Sequence, residues 1–218
     1  FTELKLELAK DVIVEEKEYS YIDKNNDVSV KNIVKKIADK NSDIINQTVL
    51  LNNEEVIEKI VDLIYKSKNI YIFGIGGSAI VSLDMQLKLL RINKKVFTSL
   101  DSHTQLTVSS NLSESDLVIA ISYSGNTREV IKCIENAKLN GSKCISITKY
   151  GVSSISKLSD FNLYVPNVEK TLKEGAISSR IAMLTLIDII YISLIQKDLS
   201  NAEKMLEDSR KTIEDMNK

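Results

Sequence analysis

The chain has 218 residues, enough to bury one sizeable core but too few for two full-sized domains. Its 29 basic and 30 acidic side chains almost cancel to a formal net charge of −1, so no overall positive field marks a nucleic-acid binder. The two cysteines, Cys133 and Cys144, fit neither a zinc site nor a redox pair. We expect them to be buried, reduced thiols of a cytoplasmic protein that needs no metal and no cofactor.

The two ends of the chain are predicted to lie outside the main domain. Leu4 and Leu8 stand at helical spacing in residues 1–11, and a helix that short needs a packing partner. Residues 12–29 are strongly charged, contain little apolar surface and are typical of a linker. We therefore assign the main domain to residues 30–200 and a separate polar helix to residues 201–218.

Two helices open the main domain. Apolar residues from Val30 to Val49 recur at intervals of three and four, which predicts one long amphipathic helix. Asn53 is a typical N-cap, and Glu54 and Glu55 complement the dipole of a second helix that runs to about Lys66.

From residue 69 onward, short β-branched runs alternate with helical segments. Such alternation predicts an α/β fold in which helices cover both faces of a parallel sheet. We predict a three-layer αβα sandwich with a five-stranded parallel sheet, of the flavodoxin-like, doubly wound type. The predicted strands are Ile70–Phe73, Val96–Thr98, Leu117–Ser122, Cys144–Thr148 and Phe161–Val165, and the helices between them are Ser78–Leu90, Thr127–Leu139 and Ser153–Leu158.

A long helix predicted from Gly175 to about Gln196 is apolar on nearly every side. Such a helix needs several neighbours, and a subunit interface of a homodimer or higher homo-oligomer is one of those we expect. Its most apolar run, Ile181–Ile195, carries Asp188 and is too short to cross a bilayer, so we predict no membrane segment.

Two strand ends have unusual compositions. Residues 74–79 form a glycine-rich turn into a helix, which lets backbone N–H groups approach an anion beside the positive end of the helix dipole. Residues 122–127 place three hydroxyls and a carboxamide before another helix. Each turn alone is also a common structural connection, but both follow parallel strands of one predicted sheet.

Together these turns suit a phosphate monoester, whose three oxygens and roughly two negative charges are best met by many short donors. Hydroxyls and backbone amides supply these donors without a metal ion. The sequence therefore predicts a sugar-phosphate site made of Gly76, Gly77, Ser78, Ser122, Ser124, Gly125 and Thr127.

A dinucleotide site is one competing interpretation. Gly74, Gly76 and Ala79 satisfy the dinucleotide-binding fingerprint, and Asp101 lies near the position of a ribose-binding acid. An oxidoreductase would leave the hydroxyl-rich loop without a function, so we rank this reading third.

Both turns resemble those of the SIS (sugar isomerase) domain, over about residues 45–195. Within that superfamily, residues 101–105, 121–125 and 175–181 make the chain most similar to the MurR/RpiR transcriptional regulators. The resemblance implies an effector-binding domain of a DNA-binding regulator that responds to a phosphorylated sugar. Residues 1–5 resemble the end of the helix-turn-helix domain of that family, the remainder of which is missing from this chain, so DNA would be bound through that missing domain.

Other SIS proteins are aldose–ketose isomerases, and such an enzyme is our leading alternative. An isomerase needs a base to move a proton between adjacent carbons, for which His103 and Glu174 are the candidates. We interpret both as possible ligand contacts instead, His103 as a loop imidazole, and we assign no catalytic residue.

Overall fold

The computed structural model of the chain describes residues 29–168 and 175–215. The sequence predictions for residues 1–28, and the prediction for Glu174, lie outside these ranges.

The centre of the fold is a sheet of five strands, all parallel, in the order β2-β1-β3-β4-β5. Each strand predicted from sequence is present, with bounds that differ by at most one residue at either end. The fold-class prediction is therefore confirmed. The strands are β1 Asn69–Gly74, β2 Lys95–Phe97, β3 Asp116–Ile121, β4 Lys143–Lys149 and β5 Phe161–Val165.

Eight helices are found in the described residues. Seven correspond to predicted segments, with ends that agree to within two residues except at the C-terminus, where residues 216–218 lie outside the described ranges; the eighth, α4, was not predicted. Their bounds are α1 Val30–Leu51, α2 Glu54–Lys66, α3 Gly77–Arg91, α4 Ser102–Ser109, α5 Arg128–Leu139, α6 Ser154–Leu158, α7 Ile177–Lys197 and α8 Leu199–Asp215.

The sheet has a separate hydrophobic core on each face, as a three-layer sandwich requires. On β3, Leu117, Ile119 and Ile121 face the core shared with α2, α3 and α7, whereas Val118 and Ala120 face the core shared with α5. This alternation places successive side chains on opposite faces. Since every residue of β3 is buried, β3 is the central strand of the fold.

Both cysteines lie in the core beside α5 as buried thiols that form no disulfide, which confirms their predicted burial. Burial raises the pKa of the Cys133 thiol to about 11 and that of Cys144 to about 12. Thiols with such high pKa values are protonated at neutral pH and poorly nucleophilic.

Helix α7 is covered largely by its own chain, which changes the basis of the dimer prediction. The helix has 21 residues and is long and apolar enough, by length and composition alone, to cross a membrane. The sequence prediction differs because it considered only the shorter run Ile181–Ile195. Helix α7 contacts α1, α2, α3, α8 and β5 instead, so it is a core helix. Ile190 is only 2% exposed and Leu186 1%, while Ile192 is exposed, so most of the apolar surface of α7 is buried without a second subunit.

Candidate functional site

The two predicted anion-binding turns lie side by side. Gly74, the last residue of β1, pairs with Ile121, the last residue of β3. The chain passes from β1 to β2 on one side of this pair and from β3 to β4 on the other. This is the topological switch point of a doubly wound sheet, where a crevice opens at the carboxyl ends of the strands.

The glycine turn requires glycine at two positions for two different reasons. A Cβ on Gly74 would lie 2.8 Å from the Ser82 hydroxyl oxygen and 3.1 Å from the Ile121 carbonyl oxygen, so only glycine fits there without a shift. Gly76 has φ +60°, a conformation that L side chains rarely adopt, and a Cβ there would meet no atom within 4 Å. The turn therefore leaves open space above Gly76, at the amino end of α3.

Residues 122–127 divide into a buried support and an exposed rim. Ser122 is 2% exposed, and its hydroxyl is hydrogen-bonded to that of Thr127 at 2.8 Å. Ser124 is exposed and accepts a hydrogen bond from the Asn126 backbone N–H. The Asn126 carboxamide oxygen in turn accepts from the Ser154 N–H. Ser124 thus faces solvent from a loop that is fixed to the start of α6.

Gly125 shapes this loop. It has φ +65° and is buried, and a Cβ there would come within 2.2 Å of the Ser153 hydroxyl oxygen. Its N–H donates to the Ser122 carbonyl, which closes a tight turn, and its own carbonyl accepts from Ile155 N–H. Gly125 packs next to the start of α6, so its role is conformational: it keeps the loop in a shape that leaves Ser124 exposed.

Three helix N-termini that lack a side-chain cap meet around the crevice. A Ser, Asn or Asp side chain caps each of α1, α2, α4 and α6. In contrast, α3, α5 and α7 begin after Gly76, Thr127 and Ala176 with no side-chain cap. Thr127 directs its hydroxyl to Ser122 instead of to its own helix. Because the first N–H groups of a helix have no partner within the helix, these termini are suited to an anion.

The start of α7 joins the site through a close contact. A Cβ on Gly77 would lie 3.2 Å from the Ala176 Cβ, so α3 and α7 begin next to each other. Ala176 has φ +56°, left-handed backbone that costs about 1–2 kcal/mol for a non-glycine residue. Sequence analysis found this segment only through its family resemblance, because no local pattern predicts a contact between residues so far apart.

The two residues that we weighed after β2 have different positions from those expected. His103 is the second residue of α4 and is exposed, so it is a helix residue and not part of a loop. Asp101 is the N-cap of α4, where its carboxylate accepts from the Thr104 hydroxyl and N–H, both at 2.7 Å. These hydrogen bonds lower the pKa of Asp101. The carboxylate that the dinucleotide interpretation needs is thus occupied as a helix cap.

Gln105 is the site-supporting residue that sequence analysis missed. It is 1% exposed, and its side-chain amide is hydrogen-bonded to both backbone groups of Gly74. The only sequence signal was its place at the end of the family-like stretch 101–105, where the imidazole of His103 offered the more familiar chemistry.

Comparison with known proteins agrees with the family resemblance of the two turns. The family model described as the SIS domain matches residues 63–193. An HTH-type transcriptional regulator of Caldanaerobacter subterraneus is 37% identical over 181 residues, which are 83% of this chain and 64% of the regulator. An HTH-type transcriptional regulator of Clostridium perfringens is 35% identical over 218 residues, which are 99% of this chain and 78% of that regulator.

A solved structure is also closely similar. The Vibrio vulnificus NanR protein, complexed with ManNAc-6P, has a TM-score of 0.81 and 25% identity, covering 99% of this chain and 76% of the NanR chain. The chain spans about two thirds to four fifths of the length of these relatives, with 64% for the Caldanaerobacter regulator. The family match, the identities and the shared fold agree with the motifs at both turns, and the chain belongs to the SIS domain family, among relatives that are HTH-type transcriptional regulators.

Proposed function

We propose that this chain is the effector-binding domain of a transcriptional regulator and that it binds a phosphorylated sugar in the crevice between β1 and β3. One observation carries the proposal: among α1 to α7, whose N-caps the structure describes, the three without a side-chain cap, α3, α5 and α7, are those that begin at this crevice. Each of these N-termini contributes the partial positive charge of its helix dipole.

The side chains around the crevice complete a phosphate site. Ser78 lies in the first turn of α3, and Ser124 and Thr127 belong to the loop after β3. Ser122 supports Thr127 through the hydroxyl pair and leaves one hydroxyl of the pair able to donate outward. Donors from two adjacent turns surround a phosphoryl group from several directions, which is the arrangement that its three oxygens require. NanR, with the same fold, is complexed with a sugar phosphate.

We further propose that the domain senses its ligand without turning it over. Aldose–ketose isomerisation needs a general base within hydrogen-bond reach of the substrate carbon-bound proton. His103 is an exposed residue of α4, and Gln105 is the α4 side chain that contacts the glycine turn. The regulator relatives support this reading over the isomerase alternative.

For the whole protein, we propose a cytoplasmic regulator that binds DNA through a helix-turn-helix domain N-terminal to this chain and acts as a homodimer. Ligand binding would shift the equilibrium between arrangements that place the DNA-binding domains well or badly for the operator.

Calorimetry with hexose 6-phosphates and the corresponding unphosphorylated hexoses tests the ligand assignment. We expect the phosphorylated sugars alone to bind. Ser124→Ala removes one donor to an ionised phosphate and should weaken binding roughly 10- to 150-fold, or about 1.5–3 kcal/mol. Ser115→Ala, an exposed serine before the opposite end of β3, is the control and should bind as the wild type does. Equal affinity for a sugar and its phosphate would refute the assignment, and aldose–ketose interconversion by the purified chain would restore the isomerase reading.

A further inference from the structure

The strand that leads into the glycine turn is only half supported by the sheet. Strand β1 pairs with β3 along its whole length, from Asn69 to Gly74. Its pairing with β2 covers only the first three residues, Asn69 to Tyr71. The last three residues of β1 therefore lack a neighbouring strand on that side, although buried backbone groups there still require hydrogen-bond partners.

Two side chains take the place of the missing strand. The Thr98 hydroxyl donates to the Ile72 carbonyl at 2.9 Å. The Gln105 carboxamide oxygen accepts from the Gly74 N–H at 3.2 Å, and its nitrogen donates to the carbonyls of Gly74, at 2.9 Å, and Ser99, at 2.6 Å. One buried amide thereby joins the end of β1, the loop after β2 and helix α4.

Gly74, the residue that Gln105 holds, sets the direction in which the anion-binding turn leaves β1. Gly74 directly precedes the turn at Gly76 and Gly77, and it is pressed so closely against Ser82 and Ile121 that no Cβ fits. A binding site works best when the groups that face the ligand are fixed by a second set of hydrogen bonds behind them. Gln105 supplies this support where β1 extends beyond its pairing with β2.

We propose that Gln105 is a positioning residue of the phosphate site: it acts through Gly74 and presets the direction of the N–H groups of the glycine turn. This inference rests on the proposed function of the crevice. Gln105 supplies hydrogen bonds that a neighbouring strand would otherwise make, so it acts on the site through the backbone of Gly74 and does not touch the ligand.

The other edge of the sheet provides a matched control. The Asn52 carboxamide accepts from the Tyr164 N–H at 2.8 Å and donates to the Tyr164 carbonyl at 2.7 Å, on β5. It also donates to a third carbonyl, that of Thr48. Asn52 and Gln105 thus make the same three kinds of hydrogen bond, but only Gln105 lies next to the site. A purely structural role would make the two residues equivalent.

Amide hydrogen exchange of the 218-residue chain without ligand tests the positioning directly. Gln105→Met and Asn52→Leu remove the amides while keeping a similar side-chain volume. We expect exchange at residues 74–78 to accelerate at least about tenfold in Gln105→Met, the equivalent of about 1.4 kcal/mol or more. In Asn52→Leu the acceleration should stay near residues 163–165. Unchanged exchange at residues 74–78 in Gln105→Met would overturn the proposal.

Binding of inorganic phosphate, followed by calorimetry, is the second measurement. Gln105→Met should bind phosphate about tenfold more weakly than the wild type, and Asn52→Leu should bind as the wild type does. Equal losses in the two variants would contradict the proposal.

If Gln105→Met does not fold, Gln105→Asn, which withdraws the amide by one methylene, is expected to show the same pattern. If neither variant folds, the wild type decides, because a Gly74 N–H held by Gln105 must be protected from exchange, and rapid exchange there would refute its anchoring. Failure of the wild type to bind phosphate or any sugar phosphate would refute the proposed function, while the exchange data still decide the positioning.

Discussion

Single residues in the loop after β3 divide into those that are exposed to solvent and those that hold the loop in place. Ser124 is exposed, whereas Ser122 and Gly125 are buried. The Tyr123 hydroxyl reaches the segment after β5, where it accepts from Val168 N–H at 2.9 Å. A loop anchored on both sides loses little conformational entropy when it binds a ligand, so affinity is not spent on ordering it.

Gly125→Ala tests the packing of this loop. The added methyl group would meet Ser153 at 2.2–2.5 Å in left-handed backbone, so both strain and overlap should destabilise the variant. Gly141→Ala is the control, since Gly141 has φ +80° but a Cβ there would approach Glu114 no closer than 3.4 Å. We expect Gly125→Ala to lower the free energy of unfolding by about 1–3 kcal/mol more than Gly141→Ala, measured by urea denaturation. Equal losses would show that backbone strain alone matters at Gly125.

At the scale of elements, one carboxylate connects α5, β4 and β5. Asp160 precedes β5 and accepts hydrogen bonds from Lys138 on α5, at 2.8 Å, and from Lys143 and the Cys144 N–H on β4, at 3.2 and 2.8 Å. Burial by itself raises the pKa of Asp160, but these hydrogen bonds and the nearby positive charge outweigh burial and hold the pKa below its usual value. The folded state therefore favours the charged form.

Asp160→Asn should lower the free energy of unfolding at pH 7 by about 1–3 kcal/mol, because charge-assisted hydrogen bonds are lost in a half-buried position. A lowered pKa in the folded state contributes stability above the unfolded value of about 3.9, and that contribution disappears as the pH falls through the folded pKa. The difference between variant and wild type should thus shrink below pH 4 in urea denaturation. Glu114→Gln changes an exposed acid that, like Asp160, lies just before a strand, and it should change little at either pH. A pH-independent gap for Asp160→Asn would contradict the electrostatic explanation.

At the scale of the whole molecule, both α1 and α3 expose large apolar side chains, and those on α3 have the regular spacing that a second subunit could pack against. On α3, Ile80 and Leu87 are 52% and 63% exposed, and Leu90 is 48% exposed. With Leu83 these residues follow the 3-4 spacing of a helix-packing seam. We therefore expect the dimer interface on α3, and not mainly on α7 as the sequence suggested.

Leu87→Lys should shift the protein from dimer to a 24.5 kDa monomer in sedimentation experiments at micromolar concentration, because a charge would be buried at the interface. Leu139→Lys, at the end of α5, changes a leucine that is even more exposed than Leu87, 83% against 63%, but lies away from this seam, and it should leave the dimer intact. A monomeric wild type, or a Leu87→Lys variant that remains dimeric, would rule out the α3 interface.

Coupling of ligand to DNA binding is a second property of the whole molecule. A longer protein that carries the helix-turn-helix domain should bind its promoter fragment, and saturating sugar phosphate should change that affinity by about 5- to 150-fold. The present chain alone should not bind the fragment specifically, since its acidic and basic residues nearly cancel. Fluorescence anisotropy at fixed salt measures both, and Ser124→Ala in the longer protein should need a correspondingly higher ligand concentration. DNA affinity that ignores the ligand would contradict the regulator proposal.

Local pattern determined much of this fold. The hydrophobic period depends on neighbours within four residues, so α1, α2 and all five strands were predictable. The alternation of strands and helices predicted a parallel sheet, and the rule that ligands bind at the carboxyl ends of parallel strands then pointed to the turns after β1 and β3. Helix α4 was missed because it has eight residues and almost no apolar periodicity, so its N-cap Asp101 looked like an isolated acid.

Tertiary structure decided which surfaces and which partners are used. Helix α1 was correctly predicted, but most of its apolar stripe is exposed, including Val30, Val34 and Val49, while Ile44 is fully buried. Only the second half of the helix reaches the core, and its buried face there also contains Gln47, Thr48 and Leu51. The pairing of Gln105 with Gly74 spans 31 residues, and the contact of Gly77 with Ala176 spans about a hundred. Such contacts follow from how strands order and helices pack, and no property of the local sequence encodes the identity of a partner so far along the chain.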